Sequence, residues 1–389
     1  MATTPFDSSN NTAVQQEAYA KKSWIWAQEN MFFNKFSGKT IKSVDSRTGK
    51  KMGGIEVAKG TQSVVTIDDT FTSKSGDTVN FNILAPITGS GVVDDAELEG
   101  NEQPLTYYDF DTTLHQVRNA VEVRGMAKQR TFKNIREDAK DVLGNWQAQY
   151  LDTKILLAAS GLANADGTLS ANAPSSNRKW AGGGKADGTG FETLASNLTT
   201  SLDANNLMCP DAIEVCKRKA MIPGSGYGKM RPIMYKGQPY YVMLVHPYQF
   251  KALRNHTDVQ DALKDAWWRG EKNPLFSGAS LVWDGVIIHE CEKIETRLGD
   301  ATGTASLVPT TYFELADAAA NGVYVARALF LGAQAVVLAK CKSMSWVEEK
   351  RDYNNIAGIS IGLINSVEKP EFNSEDYGVI NMDTAYVGD

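Results

Sequence analysis

Histidine and cysteine are both scarce: the 389 residues hold four of each. Cys209, Cys216, Cys291 and Cys341 form no CxxC pair, which excludes a zinc knuckle and a disulfide framework and points to a reducing compartment. His115, His246, His256 and His289 stand in no HExxH setting, and the chain has neither a GxSxG elbow nor a GxGxxG fingerprint. These absences give no support to an enzyme and imply no cofactor or bound metal. Positive charge is also in deficit. Lys and Arg total 40 against 46 Asp and Glu, a formal charge of -6, so the chain as a whole lacks the basic field of a nucleic-acid binder. Contact with DNA, if made, is local and non-specific. The most apolar stretch, ALFLGAQAVVLA at 328–339, lies between Arg327 and Lys340 and falls short of the ~20 residues that cross a bilayer. MATTPFDSSNN at the start carries no secretory pattern, so a soluble, non-exported protein without a membrane is expected.

What is present is ordinary globular material, 42% hydrophobic and 22% charged, arranged in distinct parts with no internal repeat. Residues 1–60 read as an N-terminal arm whose helix, AVQQEAYAKKSWIWAQENMFFNKF at 13–36, carries Trp24, Trp26, Phe32 and Phe33. So many large apolar side chains in a terminal arm imply docking, on its own domain or on a neighbouring subunit, and Trp24, Trp26, Phe32 and Phe33 are expected to contact a neighbouring subunit. Residues 61–124 change to period two, with SVVTI, TVNFNIL and LHQVRNAVEV as strands of an extended β-hairpin. Its long acidic insertion and few large apolar residues cannot build a core, so it projects.

Residues 125–162 hold the strongest helical pattern, a spine over 126–160 that would be roughly 50 Å long. Its phase predicts Ile135, Val142 and Trp146 facing the core, Arg136, Lys140 and Gln147 facing water or a neighbour, and Gly144 as a tolerated weakness. Residues 163–310 read as an α/β region after a Gly/Ala/Ser-rich excursion, with helices at FETLASNLTTSLDA and FKALRNHTDVQDALKDAWW and strands at PYYVMLVH and ASLVWDGVIIHE. Residues 311–389 return to strands, TTYFELA, NGVYVARALFLGAQAVVLA and NNIAGISIGLIN.

Three local patterns invite chemistry and decline it. GSGYGK at 224–229 lacks the GxxxxGK[ST] spacing of a phosphate loop and reads as a flexible loop. Asp109, Asp111, Thr113 and His115 alternate along a strand and share a face, which reads as a wet face rather than an ion site. His289 and Glu290 are adjacent and point to opposite sides, while Cys216 and Cys291 read as small core hydrophobes.

Charge is segregated along the chain. No Lys or Arg occurs between Ser75 and Val117, where Asp94, Asp95, Glu97, Glu99 and Glu102 make the hairpin loop acidic. No Asp or Glu occurs between Val215 and Thr257, where Lys217, Arg218, Lys219, Lys229 and Arg231 make the stretch basic. Three readings stand: a head-to-tail contact between subunits, a basic face toward DNA phosphates, or two unrelated solvated faces.

The blocks GDTVNFNILAPITGSGV, ELEGNEQPL, LHQVRNAVEVRGMAKQR, LGNWQAQYLD, NPLFSGASLVWDGVIIHE, ARALFLGAQAV, WVEEKRDYNN and FNSEDYGVINMDTAY, in this order, resemble the major capsid proteins of tailed bacteriophages typified by coliphage N-four. The resemblance covers most of the chain from Gly76 onward and implies the α+β Hong Kong 97-type capsid fold. That fold comprises an N-terminal arm, an extended hairpin loop, a spine helix in a peripheral domain and an α/β axial domain. It further implies a structural subunit that self-assembles, as pentamers and hexamers, into an icosahedral head enclosing double-stranded DNA. A portal at one vertex is an implied partner, scaffolding and decoration proteins are left open, and the virion, assembled in the host cytoplasm, is the implied location. An encapsulin-like shell and a cytoplasmic enzyme are the competing readings.

Overall fold

The computed structural model describes residues 11–39, 63–68, 78–84, 91–93, 99, 102, 104–124, 135–161, 174–184, 191–193, 202, 205–222, 228–235, 238–266, 281–294, 296–298, 324–353 and 355–386. A nine-stranded mixed sheet forms the larger core. Its path runs Leu281–Trp283, Val286–Glu290, Gln238–Val245, Tyr324–Leu331, Val379–Tyr386, Lys179–Gly184, Phe191–Thr193, with Ile233–Tyr235 and Thr296–Leu298 paired to its flanks. Alternation along Gln238–Val245 assigns its two faces. Tyr241, Met243 and Val245 pack with Ile213, Cys216 and Leu253 under the helices Pro210–Met221 and Pro247–Asn255. Val242 and Leu244 pack with Leu151 and Ile155 of the long helix Ile135–Ser160. A strand buried on both faces has no polar side to show, which is why YYVMLV reads as an unbroken apolar run.

The run ALFLGAQAVVLA is a crossing between sheets. Tyr324–Leu331 ends in the nine-stranded sheet, Gln334 takes a left-handed φ of 60°, and Val336–Arg351 continues in a five-stranded sheet. That second sheet has the order Ser37–Lys39, Val65–Asp68, Val336–Arg351, Ile356–Glu368, His115–Arg124. A buried ion pair fixes the spine between the sheets: Arg327 holds Asp383 through two bonds of 2.7 and 2.8 Å and donates to the Ser160 carbonyl at the helix end, 2.8 Å.

Several expectations are corrected. The described helix runs Ile135–Ser160, 26 residues and about 39 Å, and the part of the expected spine before it, residues 125–134, lies outside the described residues. Its buried stripe is Ala139, Leu143, Gln147, Leu151 and Ile155, whereas Val142 is 58% exposed and Trp146 only half-buried. The phase differs because the arm helix Asn11–Asn30 covers a second flank, widening the stripe to include Gln147 and Gly144. Phe191–Thr193 is a strand, not a helix start, and FKALRNHTDVQDALKDA breaks at His256 into Pro247–Asn255 and Thr257–Ala266. TTYFELA lies outside the described residues. Helix Pro210–Met221 went unpredicted, although Pro210 at its first turn and Ala212, Ile213, Cys216 and Ala220 on one face are the pattern of an amphipathic helix.

Candidate inter-subunit surfaces

The arm folds onto its own chain. Its helix lies along the spine and the strand Val336–Arg351, with Tyr19 stacked on Trp346 at 5.5 Å. Gly144 is the notch in the spine that admits it. A Cβ there would stand 2.8 Å from Trp26 Cδ1 and 3.3 Å from the Ser23 carbonyl, so the glycine is a docking feature and not a weakness. Trp26 Nε1 donates to Asn145 Oδ1 at 3.0 Å, and the half-buried Trp24 carries the Lys340 ammonium 3.7 Å from its ring centre. Beyond the helix, the 3-10 turn Phe32–Phe36 plugs into the main core. Phe33 is buried with Leu151 and Ile155, and Phe32 packs edge-on against it at 5.2 Å. The fully buried carboxylate of Asp152 accepts the amides of Phe32 and Phe33 at 2.9 and 3.3 Å and the Lys293 ammonium at 3.0 Å. Of the four arm aromatics, Phe33 is thus a core residue of its own chain, and Trp24, Trp26 and Phe32 lie half-covered along the seam.

The hairpin pairs Thr78–Leu84 with Tyr107–Thr113, Phe81 opposite Phe110. Contacts with the body run from its base to its midpoint, where the Thr112 and Ser366 hydroxyls bond at 2.5 Å and Phe110 meets Phe372 at 6.3 Å. Asp109, Asp111, Thr113 and His115 are all exposed, the wet face expected. Each seven-residue strand is roughly 20 Å long, and Val79, Phe81 and Phe110 along the pair are buried against the body. In the loop Glu99 and Glu102 are exposed; Asp94, Asp95 and Glu97 lie outside the described residues. The sequence reading missed that Val93, Leu105 and Tyr107 are also exposed, Val93 at 70%.

The basic stretch divides on inspection. Lys217 is committed internally, 2.8 Å from Asp284 Oδ1 and 2.6 Å from its carbonyl. Lys219 lies 4.3 Å over the Trp180 ring, and Arg231 is half-buried with Nη1 3.3 Å from Gln334 Oε1. Arg218 and Lys229 are exposed. They flank Met221 and Ile222, the latter 76% exposed, because the Met230 amide donates to the Ala220 carbonyl at 3.0 Å and sets Lys229 beside the helix end. Tyr241 belongs to the core, its hydroxyl donating to the Met230 carbonyl, 3.2 Å.

A buried polar joint braces this end. Glu375 receives Arg178 at 2.7 Å and the Gly228 amide at 3.0 Å, while Arg178 donates to the Gly228 carbonyl at 2.7 Å. Both backbone groups of Gly228 are therefore occupied by protein. Burial lowers the pKa values of Arg178 and Lys369, and the carboxylates Glu375 and Asp376 beside them oppose the shift. Cys216 and Cys291 are core thiols pushed by burial to about 12 and about 11. Among the described residues, no cluster of His, Cys, Asp and Glu could hold a metal, and no helix is long and apolar enough to cross a membrane.

A family model described as phage capsid protein matches residues 10–387. The major capsid protein of Pseudomonas phage KPP25 is 29% identical over 399 residues, 95% of each chain. Among solved structures, the capsid of Ralstonia phage GP4 superposes with a TM-score of 0.66 at 25% identity, over 84% of this chain and 88% of that one. The cyanophage Pam1 capsid asymmetric unit gives 0.64 at 24%, over 84% and 90%.

Proposed function

The chain belongs to the phage capsid protein family, and on that premise we propose how it works as the major capsid protein of a tailed phage. Its fold is the α+β Hong Kong 97-type capsid fold, and its place is the virion shell. The work is structural rather than catalytic: copies associate through surfaces, as pentamers and hexamers, into an icosahedral head around double-stranded DNA. The observation that carries this reading is the family match across residues 10–387, nearly the whole chain.

The parts divide the labour. The spine and the two sheets form the body, Asp152 holds the arm to it, and the hairpin packs its inner half on the body. The domain limits proposed for this architecture are an arm over 1–60, hairpin 61–124, spine 125–162, axial region 163–310 and return strands 311–389. A portal at one vertex completes the assembly, scaffolding, where used, is a separate protein, and contact with DNA is non-specific at most. Negative-stain microscopy of the purified protein tests the reading. Uniform large shells or capsomers are expected, and a compact monomer or dimer with no larger species would overturn it.

A further inference from the structure

We propose that the seam between the arm helix and the spine is a water-binding site: Ser23 of the arm and Gln147 of the spine hold an internal water, and the polar link between the two helices runs through it.

Small residues form the seam. The arm helix Asn11–Asn30 buries Ala20, Ser23 and Ala27 at helical spacing as it lies along the spine. Gly144 of the spine meets it there, and a Cβ on that glycine would stand 3.5 Å from Ser23 Oγ. Gln147 follows Gly144 by three residues, which places it one turn further along the same face. Ser23 and Gln147 are both fully buried, and Ser23 Oγ, Gln147 Oε1 and Gln147 Nε2 have no hydrogen-bond partner among the described residues. A bare buried hydroxyl or amide costs its full desolvation, and native folds pair such groups with protein or with ordered water.

The neighbouring protein groups are spoken for. Ala20, Ala27 and Ala148 are buried and carry no polar side-chain atom. Backbone groups in mid-helix are taken by their own ladders. Beyond Gly144, Trp26 Nε1 already donates to Asn145 Oδ1 at 3.0 Å. The charge pattern selects water over an ion: Lys140, over the Trp26 ring, is paired with Asp141 at 3.1 Å, which leaves Ser23 and Gln147 as a neutral pair. Water both donates and accepts, as a hydroxyl, an amide oxygen and an amide nitrogen together require, and about three bonds is the usual complement of an internal water. The arm is then held in two ways. Its plug Phe32–Phe36 bonds directly to Asp152, whereas the helix ahead of the plug is joined to the spine through solvent.

The direct test is a density map of the protein at a resolution that shows ordered water, from assembled particles or from crystals of the subunit. A peak within about 2.7–3.2 Å of both Ser23 Oγ and the Gln147 amide is expected. A direct bond between the two side chains, or a dry contact without a peak, would overturn the proposal.

Thermal melting of Gln147→Met, Ser23→Ala and the double variant reads the same site in solution. Methionine keeps the volume of glutamine and removes both polar atoms. With water bound, each single variant should melt lower than the parent, and the double variant no lower than the worse single one, because the site is lost once. In a dry seam Gln147→Met would instead remove a bare amide and raise the melting temperature. That rise, or losses that add in the double variant, would contradict the water site.

Discussion

The carboxylate of Asp152, midway along the spine helix, accepts the backbone amide of Phe32 at 2.9 Å across 120 residues of sequence. Together with the Phe33 amide and the Lys293 ammonium it forms the lock between arm and body. Hydrogen bonds to a charged group are worth about 1.5–3 kcal/mol. Asp152→Ala is therefore expected to lower stability by roughly that amount and to speed hydrogen exchange at Phe32 and Phe33. Exchange unchanged at those two amides would show that the arm is held by apolar packing alone.

Gly144→Ala should destabilise, against the ordinary preference for alanine inside a helix by up to about 1 kcal/mol. The added methyl would sit 2.8 Å from Trp26 Cδ1. A double-mutant cycle with Trp26→Ala checks the cause. The penalty should shrink once Trp26 is gone, leaving what the Ser23 carbonyl at 3.3 Å imposes, and an equal penalty in both backgrounds would place the fault elsewhere.

His246 gives the protein an acid-sensitive joint. It is buried, its Nδ1 accepts the Tyr248 amide at 3.3 Å as the cap of helix Pro247–Asn255, and burial lowers its pKa to about 4. The unfolded chain, with a histidine of ordinary pKa near 6.5, binds the proton first. The stabilisation is accordingly complete above pH ~6.5 and lost as pH falls toward 4, by up to about 3 kcal/mol. His246→Asn keeps a capping oxygen and cannot titrate. The wild-type melting temperature should fall more steeply than the variant's between pH 6.5 and 4, and parallel curves would contradict this.

Arg327→Met should cost about 3–5 kcal/mol, because it removes both guanidinium bonds to the buried Asp383 carboxylate and the shorter of two donors to the Ser160 carbonyl. Thermal melting measures the loss. A variant as stable as the parent would mean that Asp383 takes up a proton at little cost.

How much of this was written in the sequence depends on range. The strands of the hairpin and the wet face of Asp109 and Asp111 are local patterns, and alternation revealed them, whereas the crossing at Gln334 between two sheets was hidden inside what read as one strand. The spine's existence was equally local, but its phase was not. Period alone could not choose between Val142 and Gln147, since the choice was made by an arm helix more than a hundred residues upstream. Asp152 was invisible for the same reason: one carboxylate between Leu151 and Ile155 looks like a solvated residue until the amides of Phe32 and Phe33 arrive. On the candidate surfaces, sequence showed the sign of the charge and could not show that Asp284 and Trp180 had already claimed Lys217 and Lys219. The exposed Val93 and Ile222 were equally hidden, because exposure is a property of the finished fold.

The central claim is that this chain builds a closed shell from copies of itself. Sedimentation velocity of the purified full chain, at rising concentration and without DNA, tests it most directly. The account predicts one fast, homogeneous boundary far heavier than any small oligomer, fed by capsomer-sized species at low concentration. A boundary that stays at monomer or dimer at every concentration would contradict it.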